Sequence, residues 1–521
     1  MTQIEIRAAH ASSTHRARHA ADSLWLRAFG VLLLSAAAAG AQGEAATRML
    51  REAERQLASG NESGALTEYQ AVVSSFAGTA AAAQALVATA NVHLARGRTA
   101  DTIATTERLI NEYARLPEAA TGIVLQAEAR RREARSIAEL EEIRTLLRRV
   151  VNLFPPASYP DLEARARSRT LSAEIDLLRG EFATAAGELL TAIEGEQESG
   201  ARTRAHVELA LAILLDPERD ETDVIGAIQS LQSAIDSGVA TEGVEDPQVE
   251  RARDLLTLLH RMWLRPRQGQ PIWQQGRVLE GVTLRKPRGV AGGPGGMIVA
   301  TDATSAVVVG GDGKVLATQP LRDGSRPSVA WTGPVLIASN TEVLEYPSRR
   351  TETFAFLRDK LQDLNKLITV SRGAFGEWLV LDRGLGAVAV LSREERSLRE
   401  LPATRADVVD FAVGPLGRIY VLTGRERRVV VYGPDFQQVQ TISGSWQRPQ
   451  ALDVDSLGNV FVLDRASRTI DVRDRAGATL ATVGPTLPGG LTLRNVEDIA
   501  VDARGRLLVV DGDVASVVVL E

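Results

Sequence analysis

From about residue 44 to residue 260, apolar residues recur at helical spacing among Ala, Leu, Glu and Arg, with few Pro or Gly. From about residue 271 onward the pattern changes. Val-rich runs of four or five residues alternate with Gly, Asp-Gly and Pro, the punctuation of short strands and tight turns. The pattern predicts a multidomain chain, all-α first and all-β second. "WLRPRQGQP", Trp263 to Pro271, ends the helices. The expected division is a helical solenoid over 42–265, a linker over 266–275 and a β domain over 276–521. A chain of 521 residues exceeds what one hydrophobic core usually serves. Trp263 and Trp273 flank the change-over and are expected to pack the two domains together.

The helical part repeats. "LASGN" at Leu57, "LARGR" at Leu94 and "LLRGE" at Leu177 each close one helix with Gly and open another. The steps are about 37 and then twice about 41 residues, so one degenerate copy is expected in between. Ala65 and Ala185 follow these turns, where two helices must touch closely. "SSFAGTAAAAQA", "NEYARLPEAATG" and "NLFPPASYPDLEA" each place an aromatic before a short break and a new helix. Such periods mean helical hairpins stacked in one dimension. This part resembles the tetratricopeptide repeats (TPR) of exported bacterial envelope proteins, over four or five units. The resemblance implies a groove that holds peptides or partner domains.

The β part repeats as well. Asp302, Asn340, Asp382, Thr423, Asp464 and Asp511 each end a hydrophobic strand. Each follows a turn, at Gly296, Pro334, Gly376, Gly417, Gly458 and Gly505, and each precedes another strand such as "RVVVY" or "SVVVL". Six units of about four strands point to a β-propeller, whose radial blades protect their edges. "RPQALDVDSLGNVFVLDRASRTIDV" and "RNVEDIAVDARGRLLVVDGDVASVVVL" resemble NHL repeats. The last unit stops on its third strand. "GRVLEGVTL", Gly276 to Leu284, is expected to supply the missing outer strand and close the ring, leaving no open edge.

At the other end, Arg16, Arg18 and Arg27 precede the apolar run "AFGVLLLSAAAA", Ala28 to Ala39. "AGAQG" follows. This is the order of a secretory signal peptide over 1–41, cut after Ala41. The run is too short to span a bilayer comfortably. The expectation is an exported chain, periplasmic or extracellular or peripheral to the envelope, with no integral span after cleavage. A net charge of −6 gives no reason to expect nucleic acid.

The chain has no Cys, which excludes disulfides, thiolate metal sites and cysteine nucleophiles. All six His precede the β part, so a zinc or iron site and imidazole catalysis are not expected there. Some NHL-type propellers are metal-dependent lyases that rely on such ligands, and this chain departs from them. Calcium, which needs only oxygen ligands, stays open. Asp410 and Asp498 sit seven residues before their turn glycines, with Ala451 in the same place between them. Calcium-dependent lactonases on six-bladed propellers use acidic residues of this general kind; strand-end capping is the competing role.

A basic residue also enters every unit shortly before its inner strand: Arg288, Arg326, Lys366, Arg405, Arg448 and Arg494. Together they would ring one mouth of the channel and suit carboxylate or phosphate groups, with Trp446 as a stacking surface. Salt bridges to the strand-end Asp and Asn residues are the competing expectation. The sequence thus favours an exported non-enzymatic scaffold. Its partners would be proteins or peptides, or an envelope glycan. A calcium-dependent lactonase- or lyase-like propeller with a TPR docking domain is the alternative.

Overall fold

A computed structural model describes residues 40–195, 199–238, 246–321, 324–329, 334–339, 342–346, 350–353, 367–382, 386–392, 398–401 and 407–521. The expected signal peptide falls almost wholly outside these residues, and so do Asn340, Lys366 and Arg405. The chain divides into two compact units, 1–249 and 250–521.

In the first unit the described helices form five hairpins: Gly40–Ala58 with Glu62–Ser75, Ala80–Ala95 with Thr99–Glu112, Pro117–Glu133 with Ile137–Leu153, Glu163–Arg179 with Phe182–Gly195, and Ser199–Leu214 with Glu221–Ser237. Gly60, Gly97 and Gly180 turn three of these hairpins in the left-handed region, which costs glycine nothing. The third hairpin is the degenerate copy and turns without glycine. Ala134 ends its first helix, and Ser136 caps the second by accepting the Glu139 N–H. Ala65 and Ala185 are fully buried where helices meet. Charge also ties the stack. Buried Glu174 pairs with Arg131 from the preceding hairpin and Arg204 from the following one.

In the second unit six four-stranded antiparallel sheets follow one another. Their inner strands are Pro287–Gly292, Gly324–Val329, Leu367–Arg372, Val408–Val413, Pro449–Val454 and Val496–Val501, here blades 1 to 6. The result is a six-bladed β-propeller. Val and Leu alternate across each second and third strand and bury both faces between neighbouring blades; Leu507 to Val510 and Val517 to Leu520 are fully buried. Gly296, Gly376, Gly417, Gly458 and Gly505 make the turn after the inner strand at positive φ. The ring closes as its sequence implies. Gly276–Val278 pairs antiparallel with Ser516–Leu520, so the outer strand of blade 6 comes from upstream of blade 1.

This unit also takes in the last helical residues. Pro247–Leu259 runs into a π-helical turn, His260–Leu264. Asp254 accepts from Arg504 at 2.7 Å, and the Trp273 indole donates to the Gly505 carbonyl at 2.9 Å. Trp273 is buried, edge-on to Phe461. Arg267 stacks over the half-buried Trp263 at 4.1 Å. No helix among the described residues is long and apolar enough to cross a membrane.

Candidate functional site

Register decides which side chains meet at the axis. Five inner strands carry a one-residue irregularity near their start, and the residue after it pairs as Gly289↔Thr301, Thr369↔Leu381, Asp410↔Leu422, Ala451↔Leu463 and Asp498↔Val510. In blade 2, Arg326 precedes Pro327↔Ile337 just as Gly289 precedes Val290↔Ala300. The equivalent residues of blades 1 to 6 are therefore Gly289, Arg326, Thr369, Asp410, Ala451 and Asp498. Charged residues alternate with small ones around the ring.

The charged three converge. Arg326 Nη1 donates to Asp410 Oδ2 at 3.0 Å and lies 3.8 Å from Asp498 Oδ1. Nη1 also faces the Gln450 carbonyl at 3.4 Å, and Nη2 the Glu497 carbonyl at 3.3 Å. One guanidinium thus crosses from blade 2 to blades 4, 5 and 6. Gly289 makes room for it: a Cβ there would stand 2.4 Å from Asp498 Oδ2 and 2.9 Å from Arg326 Cγ.

The same aspartates clasp neighbouring blades. Asp410 Oδ2 accepts the Leu452 N–H of blade 5 at 3.0 Å, and Asp498 Oδ2 the Val290 N–H of blade 1 at 3.0 Å. Blade 5 has Ala451 at this place and makes its clasp two residues later, where Asp453 Oδ2 accepts the Val501 N–H of blade 6 at 2.7 Å. Burial pushes the Asp498 carboxyl up to about 8 against the pull of Arg326, with Asp410 adding to the rise. Burial likewise raises Asp453 to about 7, and moves Asp410 upward despite Arg326. Arg326 itself moves up, because Asp498 and Asp410 outweigh the cost of its burial.

The strand-end aspartates hold backbone. Asp302 accepts the N–H groups of Arg285, Thr304 and Ser305. Asp464 accepts those of Gln447, Arg448 and Ala466, and Asp511 those of Arg494, Asn495 and Asp513. These hydrogen bonds hold Asp302 and Asp464 below the ordinary carboxylate value, against the opposing effect of burial. They cap each strand and pin the loop entering the inner strand. In "DVDSLGN", Asp455 accepts the Leu457 and Asn459 N–H groups and the Asn459 side-chain amide, and so builds the turn.

The four described basic residues do not share one register. Arg288 lies on the irregular residue of its strand, and Arg326 is at the axis. Arg448 and Arg494 are exposed and stand one and two residues before their strands. Trp446 offers no stacking face at the mouth. It is buried between blades 4 and 5, donates Nε1 to Asp471 at 2.8 Å and lies under Arg473. Asp410 and Asp498 do meet, on Arg326 rather than around an open oxygen cage. Among the described residues no group of three or more His, Asp or Glu could hold a metal ion. The sequence reading missed Asp453, Gly289 and Gln450, whose side-chain amide bonds the Val496 and Glu497 carbonyls. The "DVD" of Asp453 was visible, but its offset from Asp410 becomes meaningful only once the strand register is known.

No family model matches the chain, and no curated protein matches it. Similar solved structures cover the propeller. Virginiamycin B lyase from Staphylococcus aureus is 12% identical, over 46% of this chain and 81% of its own, with a TM-score of 0.33. Regucalcin from Agrobacterium tumefaciens, a calcium-binding protein, is 16% identical over 47% and 93%, with a TM-score of 0.37. A gluconolactonase from Xanthomonas campestris is 14% identical over 47% and 88%, with a TM-score of 0.36.

Proposed function

We propose that the protein is an exported, non-enzymatic binding scaffold. The helical hairpins act as a TPR-like peptide or domain receptor. The NHL-like propeller offers its loop face, with exposed Arg448 and Arg494, to a second protein, a peptide or an envelope glycan. The observation that carries this reading is the charge balance at the axis. Asp410 and Asp498, the acid pair placed to hold calcium, are neutralised by Arg326 and occupied by the amides of Leu452 and Val290. Carboxylates satisfied in this way have little left to offer a cation or a substrate.

The test uses the full chain. Calcium should leave its melting temperature unchanged, and a panel of lactones should not be hydrolysed faster than in buffer. Crosslinking in native envelope should trap a partner, and Arg448→Glu with Arg494→Glu should lose it without a change in melting. Calcium-dependent melting or lactone hydrolysis that disappears in Asp410→Asn or Asp498→Asn would overturn the reading in favour of a calcium-dependent lactonase- or lyase-like enzyme.

A further inference from the structure

Arg261 is 7% exposed, and neither Nε nor Nη1 of its guanidinium has a hydrogen-bond partner. It stands in the π-helical turn His260–Leu264, packed against Gly505 in the turn after the inner strand of blade 6. Two costs fall at one place. A π turn interrupts the regular helix ladder, a feature often tied to functional sites. An arginine keeps its charge at any ordinary pH, and a buried charge without acceptors is expensive.

The charged groups around Arg261 do not settle it. Those that act on it are Asp502, Arg265, Arg506 and Glu521. The Asp502 carboxylate is engaged by Arg506 Nε at 2.6 Å and by the Arg504 and Arg506 N–H groups. Arg265 donates to the Ile272 carbonyl, and Glu521 pairs with Arg277. Burial, helped by Arg265 and Arg506, lowers the Arg261 guanidinium to about 10, so it remains charged near neutral pH.

We propose that Arg261 is the core of a small-oxyanion site beneath blade 6, taking a carboxylate, phosphate or sulfate whose oxygens accept from Nε and Nη1. A delocalised guanidinium suits such groups, and enclosure strengthens the pairing. Nearby Arg265 and Arg506 add positive potential there, against the opposing carboxylates of Asp502 and Glu521. The site lies away from the axial cluster, so it is independent of the scaffold reading.

Full-length protein in anion-poor buffer would be titrated with acetate, inorganic phosphate, sulfate and chloride at constant ionic strength. Melting temperature and calorimetry are the readouts. At least one oxyanion should raise the melting temperature saturably by several degrees, with chloride weaker. A response to acetate alone points to a carboxylate ligand, and a response to phosphate or sulfate to a tetrahedral one. Arg261→Met should abolish the response and melt higher than the native chain without oxyanion, because it removes an uncompensated charge. Arg261→Lys, the second variant should Met fail to fold, should bind about tenfold or more weakly. No response to any oxyanion, or an equal response in Arg261→Met or Arg261→Lys, overturns the proposal.

Discussion

Asp498, on the inner strand of blade 6, accepts the backbone N–H of Val290 on the inner strand of blade 1 at 3.0 Å. The last blade is thus held to the first at the axis as well as at the rim. Asp498→Ala leaves that amide without a partner and is expected to cost about 2 kcal/mol. Asp498→Asn keeps an acceptor and should cost much less. Urea unfolding of both variants checks the difference; equal losses would mean that the clasp contributes nothing specific.

The raised carboxyls predict a pH dependence of defined sign. Folding lifts Asp453 from 3.8 to about 7 and Asp498 from 3.8 to about 8, so the folded state keeps protons that the unfolded chain has released. Their contribution is most favourable at and below the ordinary carboxylate value and declines as pH rises to about 7–8. Each group adds at most about 1.4 kcal/mol per pH unit. Asp302 and Asp464, which are lowered, lose their contribution only at more acid pH. Melting from about pH 5 to 8 should therefore show a negative slope that flattens in Asp453→Asn with Asp498→Asn. An unchanged slope refutes the assignment.

Gly289→Ala probes the axial packing. Its Cβ would press on Asp498 Oδ2 and Arg326 Cγ, and the guanidinium would have to withdraw from Asp410. A loss of about 2 kcal/mol or more is expected in chemical denaturation. A neutral result would show that Arg326 can reach Asp410 by another path.

Much of this arrangement was legible in the chain. The six strand-end markers and the turns before them repeat at regular offsets, the segment at Gly276 reads as a further strand, and unbroken Val-rich runs mark strands buried on both faces. The mouth ring was not legible. Arg288, Arg326, Arg448 and Arg494 lie within a few residues of one another in repeat position, yet side chains reverse face with each residue, and an irregular residue in the strand shifts them again. Arg326 was singled out for its charge as one member of that ring, and in the structure the charge is paired with Asp410. Its partners became visible only across 84 residues of chain.

Backbone joins blades 3 and 4, where the Val408 N–H bonds the Gly386 carbonyl at 3.1 Å. Thr301 bonds the Ser325 carbonyl between blades 1 and 2, and Ser328 the Val370 carbonyl between blades 2 and 3. Ser371 occupies the Asp453 position in blade 3, yet its buried hydroxyl has no partner. Amides of Leu367–Arg372 and Val408–Val413 should exchange with deuterium faster than those of Pro449–Val454 and Val496–Val501. Ser371→Asp should reach the Val413 N–H by analogy with Asp453 and raise stability by about 1 kcal/mol. Uniform exchange across the inner strands would contradict this.

The strand Gly276–Val278 carries a kinetic consequence. Its partner, Ser516–Leu520, leaves the ribosome some 240 residues later, as the Arg277–Glu521 separation of 244 shows. Every blade can form its hairpins as it emerges, but the ring cannot lock until the final strand is made. This long-range pairing therefore becomes available late, and each translating chain carries an open propeller with two unpaired edges until Ser516–Leu520 is made.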